Sequence, residues 1–99
     1  MAAFRLLDAK SFYETLKEIN AFVAIGDWNS AAAGASRTRD EAQYQKSVAS
    51  TNEHQWRDFI VHADCLRLTI RAQDREGCVG ELALLRWALT AIAGPEGQV

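Results

Sequence analysis

Cysteine is scarce. Cys65 and Cys78 are the only two in 99 residues, too few for a disulfide framework, and no CxxC pair or Cys/His cluster of zinc-finger spacing accompanies them. Long apolar runs are missing as well. The most apolar stretch, Val79 to Ala93, is interrupted by Glu81 and Arg86, and the opening MAAFRLLDAK holds no apolar run of signal-peptide length. Secretion and membrane spanning are therefore not expected, and a reducing, cytoplasmic setting is. Neither sign of charge dominates: 11 Lys and Arg face 13 Asp and Glu, a net −2, which gives no global pull toward nucleic acid or acidic membrane. A Gly-rich phosphate loop, a nucleophile elbow and a dinucleotide fingerprint are all absent, which removes support for most enzyme classes and for a bound cofactor.

What is present is a globular composition, 48% hydrophobic and 24% charged, in a chain short enough to fold around one core. A single domain over residues 1–99 is expected, with flexible ends at about 1–6 and 95–99. Helical periodicity carries most of it. From Asp8 to Ile25, Phe12, Leu16, Ile19, Phe22 and Val23 share one face and Lys10, Glu14, Lys17 and Glu18 the other, with Asp8 or Ser11 able to cap the start and Gly26 to end it. The Ala-, Ser- and Gly-rich stretch from Gly26 to Asp40 does not decide between loose helix and loop. Tyr44 and Val48 are the substantial apolar residues of a second helical segment that reaches about residue 50.

Ser50 with Glu53, and Asn52 with Gln55, carry the offset of a capping box. Beyond them Trp56, Phe59, Ile60, Ala63, Leu66 and Ile70 form a broad stripe, and Val61 with Leu68 a second seam, which implies a helix covered on two sides. A rival reading makes Leu66 to Arg71 a strand, because Leu66, Leu68 and Ile70 alternate with polar residues. The helix is preferred, since no partner strand stands nearby to satisfy the backbone. After a turn over Gln73 to Gly77, the apolar residues Val79, Leu82, Leu84, Leu85, Trp87, Leu89 and Ile92 surround the last helix until Gly94 and Pro95 stop it. Such a helix is either central to the bundle or covered by a second copy of the chain.

His54, Asp58 and His62 recur one turn apart with Cys65 in the same arc, but two histidines eight residues apart are about 12 Å apart along a helix, too far for one ion, so no metal site is expected. The segment Arg57-Asp58-Phe59-Ile60-Val61-His62 resembles the R-x4-H signature of HEPN-family ribonucleases. That resemblance implies an all-helical dimeric bundle that cleaves RNA without metal, with Arg57 holding phosphate, His62 moving protons and Asp58 orienting them. Arg67, Arg71 and Arg75 recur every four residues as a basic stripe late in the third helix, where nucleic acid could bind, although helix-end cations and nearby Asp64, Asp74 and Glu76 also explain a solvated face. Trp28 stands in a Gly/Asp/Asn/Ser turn that no core pattern demands, which makes it a candidate interface residue.

The sequence thus predicts an all-α bundle of three or four helices, near residues 8–25, 30–50, 52–73 and 77–93, that is dimeric or higher. The expected function is a non-catalytic, regulatory protein-interaction module that binds itself and a protein partner through Trp28, Val61, Leu68 and Trp87. A HEPN-like ribonuclease using Arg57 and His62, and a nucleic-acid-binding helical protein using Arg67, Arg71 and Arg75, are the alternatives.

Overall fold

Four helices run in succession: α1 (Leu6–Ile25), α2 (Trp28–Val48), α3 (Glu53–Arg71) and α4 (Arg75–Ala93). The structure is a computed structural model and describes residues 6–49 and 52–94. Each helix packs on its neighbours in chain order and α4 closes back on α1, so the helices alternate in direction around a square with α1 and α3 on one diagonal. Leu66 to Arg71 is helix, and among the described residues there is no strand. The first and last residues of the expected single domain lie outside the described residues, apart from Leu6, which opens α1.

Two turns at one end of the bundle share a construction. At Gly26 the backbone enters the left-handed region, φ +78°, the Gly26 amide donates to Val23 O and the Asp27 amide to Phe22 O. Asp27 then caps α2 through the Ser30 amide and hydroxyl. At Gln73, φ +55°, the same pair of bonds runs to Ile70 O and Thr69 O, and Asp74 caps α4 through the Gly77 amide. Both are left-handed helix stops that hand over to an aspartate cap. The helix boundaries correct three sequence readings and settle an open one. Asp8 and Ser11 lie inside α1; α4 starts at Arg75 and not after Gly77; Asn52, at the cap position of α3, makes no side-chain cap bond; and the undecided stretch after Asp27 is helix. Ser50 and Pro95 fall outside the described residues.

The core holds the predicted faces of α1 and α3, together with Cys78, Leu82, Leu85 and Leu89 of α4. α2 contributes only small groups, Ala31, Gly34, Ala35, Thr38 and Ala42, so its backbone lies close to its neighbours. Gly34 is where this matters most: a Cβ there would meet Ile19 Cγ1 of α1 at 2.8 Å. Thr38 is buried without penalty because its hydroxyl donates to Gly34 O. Tyr44, expected to be a substantial apolar residue of this helix, is exposed.

A paired substitution tests this packing. A methyl group added at Gly80 in α4 would meet nothing within 4 Å, so Gly80→Ala gains the usual helix preference of about 1 kcal/mol. Gly34→Ala gains the same preference but overpacks against Ile19, which costs about 1–3 kcal/mol. Urea unfolding of the two variants is expected to separate them by that overpacking cost, and equal stabilisation of both would contradict the close α1/α2 approach.

Candidate interaction face

The rotation of α3 about its axis decides what its polar residues can do. Its broad stripe points inward and is buried, which leaves Val61 and Leu68 on the outward side, 53% and 62% exposed. α4 likewise turns Leu82, Leu85 and Leu89 inward and leaves Leu84 and Trp87 at 40% and 76%, with Val79 at 55%. Within one chain, therefore, neither helix is covered on its second side, and α4 is a corner of the square and not its centre. One outward ridge of α4 runs through Gly80, Leu84, Trp87 and Ala91, none of them charged, while Glu76 and Arg86 are exposed elsewhere on the helix.

Between the α3 and α4 ridges runs a groove of about 200 Å³ whose walls include Asp58, His62, Leu84 and Trp87. His62 does not face solvent with His54 and Asp58; it turns toward α4, where its Nδ1 lies 3.2 Å from Glu81 Oε1. A carboxylate only accepts, so Nδ1–H donates and the ring is held in one orientation with Nε2 as its remaining nitrogen. Sequence reading missed this pair, and its signal was the carboxylate of Glu81 set within the most apolar stretch of the chain.

Arg57 is exposed and makes no ion pair among the described residues. Five residues of helix place it about 140° around the axis from His62. Among the described residues no group of three or more His, Cys, Asp or Glu could hold a metal ion.

The other sequence candidates gather elsewhere. Trp28 is the first residue of α2 and not part of the turn; it packs partly against the core, and the Arg75 guanidinium lies 5.9 Å over its ring. The expected arginine stripe does not stay on one helix: the chain turns after Arg71, and Arg75 begins α4 with its Nε donating to Val23 O. Arg67 meets Asp64 at 3.5 Å, and Asp64 also accepts from Arg39 Nε at 3.3 Å. Lys46 faces Glu53 across the α2/α3 connection at 3.8 Å.

No family model, curated protein or solved structure matches the chain. No helix among the described residues is long and apolar enough to cross a membrane.

The cysteines differ in access. Cys78 is wholly buried, and burial pushes its thiol up, with a contact to Thr69 offsetting part of the rise and the Asp74 charge adding to it. Cys65, on the outward side of α3, is half-buried. A thiol reagent such as DTNB is expected to modify Cys65 in the folded protein and Cys78 only at the rate of unfolding. Because the unfolded Cys78 thiol ionises at lower pH than the folded one, it withdraws stability as pH rises past about 8.5. Equal reactivity of the two thiols would contradict the burial of Cys78.

Proposed function

We propose that the chain is a non-catalytic helical interaction module whose α3/α4 face docks a second copy of itself. The observation that carries this reading is the outward apolar set Val61, Leu68, Leu84 and Trp87, which the bundle leaves 40% to 76% exposed, large side chains of the kind that mark interaction surfaces when they gather on one side. Such a surface costs solubility unless something covers it.

Size and charge favour a second copy. A standard interface takes about 800 Å² from each partner, about an eighth of the 6003 Å² surface of this chain, and one side of a four-sided bundle can supply that. A two-fold axis places the same face on both partners, so it must be complementary to itself. The uncharged ridge of α4 meets that condition along its own length, because like charges are not brought together there. Trp87 is the natural anchor, a large rigid ring at the middle of the ridge. A helix from a different protein could occupy the same face in place of the second copy.

Light scattering tests the proposal. The wild type is expected at twice its 11.0 kDa chain mass, and Leu84→Glu with Trp87→Glu at the mass of one chain with helix content unchanged, since both residues lie outside the core. A wild type that stays at one chain mass on concentration would overturn self-association.

A further inference from the structure

A second cavity, about 300 Å³, opens on the α2/α3 side near the two matching turns. Its lining includes Trp28, Asn29 and Ser36 of α2, Arg67 and Arg71 of α3, and Gln73 of the following turn. No carboxylate lines it, although acidic residues outnumber basic ones in the chain. The start of α2 and the end of α3 meet there with opposite partial charges that offset each other, so the side chains set the local sign. That sign is positive. Arg71 makes no ion pair among the described residues, and Arg67 reaches only Asp64, at 3.5 Å, a carboxylate already engaged by Arg39.

Gln73 adds an independent observation. It is the non-glycine residue with positive φ among those described, at a helix-stop position where glycine is the usual choice and a longer side chain carries strain. The matching turn uses Gly26. At Gln73 the side chain that strain retains is an amide on the cavity wall. Buried Ile70 and exposed Ala32 are the aliphatic lining beside these polar groups, and the volume stands at the lower end of the range for small-molecule sites.

We infer that this cavity binds a phosphate monoester of nucleotide size, with Arg67 and Arg71 holding the phosphate and Trp28, Asn29, Ser36 and Gln73 receiving the remainder. Two guanidiniums match the near-double negative charge of a monoester near neutral pH, whereas a diester within a nucleic-acid strand carries one. The inference is independent of the α3/α4 face. The three-arginine stripe expected from helical spacing divides accordingly: Arg75 is committed to Val23 O and the Trp28 ring, and Trp28 joins the other two arginines as a wall of their cavity.

The test is a titration of the isotopically labelled full chain with AMP at low salt, followed by amide and indole NMR signals. Shifts are expected to centre on Trp28, Asn29, Ser36, Arg71 and Gln73, to weaken as salt rises, and to need about tenfold more AMP in Arg71→Gln. Lys17→Gln, on the exposed side of α1, is expected to titrate like the wild type. Adenosine, which lacks the phosphate, is expected to bind at least about tenfold more weakly. No shifts with AMP, equal affinity for adenosine, an unaffected Arg71→Gln, or equal competition by an RNA oligomer without terminal phosphate would each overturn the inference.

Discussion

Three aromatic rings meeting across the diagonal of the bundle set the geometry on which the rest depends. Phe12 of α1 lies 5.5 Å from both Trp56 and Phe59 of α3, and those two lie 5.6 Å apart, with ring planes tilted or edge-on. Each such ring removes about 150–250 Å² from water, which at about 25 cal/mol per Å² comes to roughly 4–6 kcal/mol gross. The whole stability of a domain this size is about 5–15 kcal/mol, so this cluster outweighs any surface ion pair in fixing α3. Its rotation follows. With Trp56 and Phe59 pointing inward, Val61 and Leu68 point away from the core, and His62 points toward α4.

Polar ties around the square then secure heights and do little to set angles. Tyr13 Oη and Thr90 Oγ1 meet at 2.8 Å between α1 and α4; Asp64 ties α2 to α3 through Arg39; His62 and Glu81 tie α3 to α4. Arg75 reaches from α4 to the last turn of α1. These pairs are half-buried or exposed, where a single contact contributes about 1 kcal/mol or less. The α1/α2 side relies on close approach instead, through Gly34 and Ile19. Helix α2 is the element whose packing is set by the absence of side-chain volume.

That difference explains what could be read in the sequence. The faces of α1 and α3 were legible because large apolar residues recur at helical spacing and nearly all of them entered the core. α2 was not, because its buried positions, Ala31, Gly34, Ala35, Thr38 and Ala42, carry little hydrophobic contrast; their heptad-like spacing was the available signal, and Gly34, a poor helix former by itself, is there a packing requirement. Of the two seams of α3, one is covered within the chain and the other, Val61 with Leu68, is exposed. Site geometry was harder to foresee, since the His62–Glu81 pair and the Arg67–Arg71–Gln73 wall depend on which helices become neighbours, a tertiary fact that spacing along one helix does not contain. Trp28 and Arg75, far apart in sequence, met for the same reason.

An interface between copies on the outward side of α3 and α4 is the central claim. Nuclear Overhauser contacts measured between chains in a sample mixing 13C-labelled and unlabelled protein test it most directly. Contacts from the Trp87 indole of one copy to Leu84, Val61 or Leu68 of another are the result it predicts; contacts between chains that map instead to the α1/α2 side, or none at all in concentrated solution, would contradict it.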